Sequence, residues 1–281
     1  MVGERHGGLG ADTLPGMLRV AGIHGIFNLD RRRGPVEAAD NLALAWGSAL
    51  GRQVDVKVAY YADCLAAEAV QGAGTAYSPA EAQAQLSEWA LALGAPAEVG
   101  QGRLTVPVRQ IISWVSRTYG LDHDLVDRFV GQFLREVPAY LTDGGPARRT
   151  AQDRLAAVLR EHRPRAVIAH SLGSVVAFET LCRFSEYEVD LFVTLGSPLG
   201  LPGVIFERLE PMGVRRPPGV RRWVDIADVG DIVAAPPRLG ERFDVDIHMD
   251  ARIGRFDFHR AKSYLAAEAT RTEIAKLAAE A

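Results

Sequence analysis

Arg165 to Gly173 reads RAVIAHSLG, and the interpretation of these residues decides how the rest of the chain is read. Arg165 to Ala169 (RAVIA) is a short apolar run with the composition of a strand buried on both faces. Ser174 to Phe184 follows with a helical pattern, so Ala169-His170-Ser171-Leu172-Gly173 occupies a sharp strand-to-helix turn. A serine held in such a turn takes strained backbone angles, and only small residues fit two positions before and after it. Ala169 and Gly173 meet that need. The turn lifts the Ser171 hydroxyl clear of the sheet, and the helix N-terminus beneath it favours negative charge nearby. The plainer alternative is that Ser171 only caps the helix.

On both sides of this stretch, strand and helix patterns alternate. Leu18 to Ile23 (LRVAGI) is an apolar run that stops at His24-Gly25. Pro35 to Leu50 carries Leu42, Trp46 and Leu50 at helical spacing, and Gly51 stands where a left-handed cap would lie. Gln53 to Tyr61 (QVDVKVAYY) alternates as a strand does. Downstream, Ala147 to about Arg160 reads as a helix, and Asp190 to Leu195 (DLFVTL) as a strand ending in Gly196-Ser197-Pro198. Arg222 to Ala227 and Phe243 to His248 supply the last strands, and one Ala-rich helix closes the chain from Arg260. Gly200 to Gly219 shows no clear element. Repeated strand–helix units of this kind build a parallel sheet.

Between Ala62 and Gly145 three helical patterns follow one another without a strand. Ser78-Pro79-Ala80-Glu81 carries the cap, first-turn proline and glutamate of a helix running to about Leu93. Val108, Ile111, Ile112 and Val115 form one apolar face, and Leu125, Phe129 and Phe133 belong to another. The segment is too short to build its own core, so it reads as a helical insertion or lid over the sheet. Ordinary crossover helices are the alternative.

Composition narrows the function classes. The chain has 281 residues, 32 of them Lys or Arg and 35 Asp or Glu, so it lacks the positive field that holds a phosphate backbone. Nucleic acid is not an expected partner. No stretch has eighteen apolar residues, and Met1 to Leu18 lacks the basic-then-apolar order of a secretory leader. Cys64 and Cys182 have no metal-ligand or disulfide spacing and read as inert thiols in a cytoplasmic protein. No metal and no organic cofactor is implied.

On the elbow motif HSLG and on Thr194 to Pro198 (TLGSP), the chain resembles lipase-like and esterase-like members of the α/β-hydrolase superfamily. The resemblance runs from about Arg19 to the last helix and leaves only the insertion uncovered. Ala169 stands where many members have glycine. The resemblance implies an α/β-hydrolase fold over residues 1–281 as a single domain. Its central sheet would be mostly parallel, with helices on both faces and a helical lid at 62–145.

The resemblance also assigns roles. Ser171 is the expected nucleophile, and it needs an imidazole to take its proton and a carboxylate to orient that imidazole. In this family they follow in the order Ser, Asp, His. Asp228 and Asp231 both follow the Arg222 to Ala227 strand; Asp231-Ile232-Val233 resembles the family's acid-x-Val pattern, so Asp231 is preferred over Asp228. His259, just before the closing helix, stands where the family keeps its base, with His248 as the alternative. The Leu172 backbone N–H and one from Gly25 or Ile26, in a turn resembling the family's HG turn, are the expected oxyanion donors. His24 itself reads as structural. Arg31-Arg32-Arg33 could meet an acidic group of the substrate, although a solvated loop explains them as well.

The expected reaction is cleavage of a carboxylic ester in a small-molecule acyl substrate through a covalent acyl-enzyme. A thioesterase, peptidase or acyltransferase would use the same triad, and a hydrolase fold retained only for ligand binding is the non-enzymatic alternative.

Overall fold

The computed structural model describes residues 16–51, 53–71, 79–96, 108–142, 145–234, 238–254 and 259–280. Its frame is a sheet of six strands: β1 (Leu18–Ile23), β2 (Val54–Ala59), β3 (Ala166–His170), β4 (Val189–Leu195), β5 (Val220–Asp228) and β6 (Ile247–Ala251). Their order is β2-β1-β3-β4-β5-β6 and every neighbouring pair is parallel. Such a sheet buries both faces, and β3 is accordingly buried at all five positions.

The chain steps outward from β1 to β2, then returns to place β3 on the other side of β1. The order thus reverses between β1 and β3, and a crevice opens there at the carboxyl ends of the strands. The residues following those two strands are His24 to Asn28 and Ser171.

Helices cover both faces of the sheet. On one lie α1 (Pro35–Leu50), α8 (Ala261–Ala266) and α9 (Glu268–Ala279), whose Trp46, Leu50, Tyr264, Leu265, Ile274 and Leu277 share one apolar cluster with Val20, Ile168, Val193 and Val224. Pro35 begins α1 at a position that needs no N–H, and Gly51 ends it. Gly51 has φ 120° and ψ 176°, so it is not the left-handed helical cap expected from the sequence but an extended conformation open mainly to glycine.

The opposite face carries α2 (Ala62–Gln71), α3 (Pro79–Ala92), α4 (Val108–Tyr119), α5 (His123–Leu141), α6 (Pro146–His162) and α7 (Leu172–Arg183). The first four arise from the 62–145 segment. Leu86, Trp89, Ile112 and Phe133 of that segment join Val176, Phe178 and Phe192 in one continuous cluster. Asp122 caps α5 by accepting from the Leu125 N–H at 2.9 Å. The proposed Ser78 cap of α3 lies outside the described residues, as does the N-terminal stretch 1–15.

Several elements differ from the sequence reading. Helix α2 is a fourth helix in the 62–145 segment, where three were expected. The sixth strand is Ile247–Ala251, displaced from the expected Phe243 to His248. Phe243 alternates as a strand residue would, but its ring is buried among Phe178, Trp223 and Phe206, with centroids 5.3 to 5.7 Å away. Burial of that aromatic decides the local path. The closing helix is two helices, because Ala267 takes extended angles (φ −61°, ψ 142°) and Thr270 Oγ1 donates to the Tyr264 carbonyl at 2.7 Å. Among the described residues, no helix is long and apolar enough to cross a membrane.

Candidate active site

Ser171 has φ 54° and ψ −132°, a strained conformation for a residue with a side chain. Its backbone is held on both sides. Its N–H donates to the Leu195 carbonyl at 3.0 Å, and its carbonyl accepts from the Ser174 N–H at 2.8 Å and from Ser174 Oγ at 2.6 Å. Ser174 Oγ also pairs with Ser197 Oγ at 2.7 Å, which ties the turn to the segment after β4. Gly173 is required sterically: a Cβ there would stand 2.4 Å from the His24 carbonyl oxygen.

Asp231 lies in the turn after β5 and is 3% exposed, so its carboxylate needs hydrogen-bond donors. Oδ1 accepts from the Val233 N–H at 2.9 Å; Oδ2 lies 2.7 Å from His259 Nδ1 and accepts from the Tyr264 hydroxyl at 2.6 Å. A carboxylate at Nδ1 takes that nitrogen's proton as its hydrogen bond, which makes Nε2 the basic nitrogen of the neutral ring. Asp228 has a different task. Its two oxygens accept from the Gly230 and Ile253 N–H groups, each at 2.7 Å, and its carbonyl accepts from the Asp231 N–H at 2.9 Å. It builds the turn that presents Asp231.

Gly196, in the segment that links to the serine turn, passes directly under this pair. Its φ is 53°, and a Cβ there would stand 2.6 Å from Asp231 Oδ2 and 3.1 Å from His259 Cε1. The His259 ring meets Phe129 edge-on at 5.8 Å and lies 4.7 Å from the ring of His170, the residue before the serine. Burial and the nearby His259 hold the His170 pKa well below the ordinary histidine value, so this second imidazole stays neutral.

Around the serine, the loop after β1 is held in place by its own side chains. Asn28 Nδ2 donates to the Gly25 and Ile26 carbonyls at 3.0 and 2.9 Å. His24 Nε2 accepts from the Tyr61 N–H at 3.1 Å, so its Nδ1 donates to the Gly25 carbonyl at 2.8 Å. A trans peptide points its N–H opposite to its C=O, so anchoring the Gly25 carbonyl turns the Ile26 N–H the other way. A Cβ on Gly25 would stand 2.5 Å from Ser171 Cβ and 3.1 Å from its Oγ, so this loop abuts the serine. Leu172 begins α7 immediately beyond Ser171. Two candidate backbone donors, at Ile26 and Leu172, therefore belong to segments that meet at Ser171.

Two further residues border that loop. Phe27 takes φ 67° and is 54% exposed, with its ring 6.2 Å from Phe129. Glu136 of α5 is buried near the Phe27 N–H and hydrogen-bonded by Gln132 Nε2; burial pushes its pKa up to about 7. His24 is neutral at ordinary pH, because burial lowers its pKa to about 4.

The other sequence candidates lie elsewhere. His248 Nδ1 is 2.8 Å from Asp225 Oδ2, while Asp225 Oδ1 accepts from Thr194 Oγ1 at 2.7 Å. The Asp225 hydrogen bond raises the His248 pKa. Arg33 is paired with Asp30 at 2.9 Å and Glu37 at 3.0 Å, which makes the arginine run an exposed surface loop. Burial raises the Cys64 and Cys182 thiols to about 11 and 12. Among the described residues no group of three or more His, Cys, Asp or Glu side chains could hold a metal ion.

Sequence reading did not single out Tyr264 as a partner of Asp231, nor Phe129 and His170 as walls of His259. Only the TLGSP motif hinted at Gly196. No protein-family model matches the chain, and no curated protein matches it in sequence.

Proposed function

We propose that the chain is a serine hydrolase of the α/β-hydrolase superfamily that cleaves a carboxylic ester through a covalent acyl-enzyme. The observation that carries this reading is the 2.7 Å pair of His259 Nδ1 and Asp231 Oδ2, packed through Gly196 and His170 against a serine at positive φ. A buried carboxylate, an oriented imidazole and a strained serine at the carboxyl edge of a parallel sheet together favour acyl transfer. The reversal of strand order between β1 and β3 supports the hydrolase fold. The continuous apolar cluster beneath the 62–145 helices supports one domain. Contacts from Phe129 to His259 and from Trp89 Nε1 to the Ile232 carbonyl, at 2.8 Å, support reading those helices as a lid.

In the proposed reaction Ser171 Oγ bonds to the ester carbonyl carbon while its proton passes to His259 Nε2. The oxyanion is met by the N–H groups of Leu172 and of Ile26 or Gly25. The carbon–oxygen bond to the leaving alcohol then breaks, and His259 returns the proton to that oxygen. Water, deprotonated by His259, attacks the acyl-enzyme and releases the acid with Ser171 restored. The Asp231 carboxylate keeps its hydrogen bond to Nδ1 throughout and stabilises the imidazolium.

The test is labelling with a fluorophosphonate together with turnover of p-nitrophenyl butyrate. The wild-type protein is expected to do both. Ser171→Ala should do neither while keeping its melting temperature, because triad members act as a unit worth on the order of a millionfold in kcat. A Ser171→Ala protein with comparable turnover, or a wild-type serine inert to the probe, would remove the reading.

A further inference from the structure

Next to His259 lies a cavity of about 630 Å³, within the range of sites that enclose a small organic ligand. Ile26, Phe27, Leu42, Trp46, Phe129 and Leu265 give it a mainly apolar wall. Its charged residues are all of one sign: Arg128, Arg260 and Lys262 line it, and among the described residues no carboxylate does. Arg128 and Lys262 form no ion pair among the described residues. An apolar wall alone would suit a neutral ester, whereas the exposed cations of Arg128 and Lys262 beside it suit an anionic one.

The walls of the cavity differ by element. Leu42, Ala45 and Trp46 come from α1, where no charged residue lines the space. Arg128 precedes Phe129, whose ring touches His259, and Lys262 follows His259 by three positions. Both cations thus stand on the segments that carry Phe129 and His259, and none on α1. In acyl transfer the leaving group is the part that takes a proton from the histidine, so the leaving group is the part placed near these cations.

Resting on the hydrolase reading above, we propose that the substrate is an amphiphilic ester: an apolar acyl chain against Leu42 and Trp46, with an alcohol portion bearing an anionic group met by Arg128 and Lys262. Cations at the mouth of an apolar site favour such a ligand over its neutral analogue and raise its encounter rate, and both effects weaken with salt.

The proposal is tested with two chromogenic esters of one acid, p-nitrophenyl octanoate and 3-carboxy-4-nitrophenyl octanoate, on the wild type and on Arg128→Gln/Lys262→Gln. The ratio of kcat/KM for the anionic over the neutral ester should fall about tenfold in the variant, and in the wild type it should fall as salt is raised. Comparing ratios removes the difference in leaving-group reactivity. An equal ratio in both proteins overturns the proposal while ester turnover keeps the hydrolase reading. Calorimetry of dodecyl phosphate on Ser171→Ala separates the two further, since it needs no turnover. Binding that weakens about tenfold in the Arg128→Gln/Lys262→Gln background supports the ligand class even if both esters remain uncleaved, and dodecyl phosphate affinity equal in both backgrounds overturns it.

Discussion

The hydroxyl of Tyr264 donates at 2.6 Å to the Asp231 oxygen that His259 Nδ1 reaches at 2.7 Å, so one carboxylate oxygen serves two partners. Tyr264 is fully buried, and its oxygen accepts from the Asp228 N–H at 2.9 Å, which aims its proton at Asp231. Burial and the adjacent carboxylate keep its pKa well above the usual tyrosine value, so it remains a donor across the working pH range. Helix α8 thus stabilises the acid from behind while His259, just before α8, meets it from the front.

Tyr264→Phe should therefore act on turnover more than on substrate affinity. A hydrogen bond to a charged group is worth about 1.5–3 kcal/mol, and losing part of it from the orientation of Asp231 should lower kcat about tenfold. KM for p-nitrophenyl butyrate should stay near its wild-type value. Unchanged kcat with a lowered melting temperature would make the tyrosine purely structural.

Asp231 and Asp228 lie three residues apart but make unlike contacts, and their variants should separate accordingly. Asp231→Asn should retain the fold and lose roughly ten-thousandfold in kcat, because the imidazole loses its oriented tautomer and its counter-charge. Asp228→Asn weakens the acceptors of the Gly230 and Ile253 N–H groups. It should stay active and melt a few degrees lower, as expected for a loss of about 1–2 kcal/mol. Steady-state kinetics with calorimetric melting of both variants checks this, and the reverse pattern would move the acid to Asp228.

Acid stability should depend on His24. The folded state keeps this ring neutral down to about pH 4, whereas in the unfolded chain it takes a proton near 6.5. Between those values the unfolded chain binds more protons, so its contribution is complete above pH 6.5 and is lost as pH falls toward 4. Moving a pKa from 6.5 to about 4 corresponds to roughly 3 kcal/mol. His24→Asn should melt below wild type at pH 7, since the Tyr61 N–H and the Gly25 carbonyl lose partners, yet its melting temperature should change less between pH 7 and 4.5. Parallel pH curves for the two proteins would contradict this assignment.

How much was legible in the sequence depended on whether the information was local. The strands at Leu18–Ile23 and Ala166–His170 were visible as short apolar runs, and the serine turn as small residues on either side of Ser171, because the causes act within a few residues. Asp231 and His259 were harder. Both follow their expected elements, but choosing Asp231 over Asp228 rested on a resembling pattern, and no periodicity distinguishes a carboxylate that caps a turn from one that meets an imidazole. Phe243 shows the opposite failure: local alternation pointed to a strand, and burial among three rings from distant parts of the chain overrode it.

By itself, then, the sequence determined the alternation of strands and helices, the strained serine turn and the charge balance, because backbone sterics and hydrophobic period operate over short spans. Only the tertiary structure decided which oxygen of Asp231 meets His259, that Tyr264 shares it, and that Gly196 has to lack a side chain beneath them. It also gathered Arg128 of α5 and Lys262 of α8 at one apolar cavity. These groups lie tens of residues apart along the chain, and they meet because a parallel sheet brings the carboxyl ends of its strands, with the loops that follow them, to one edge.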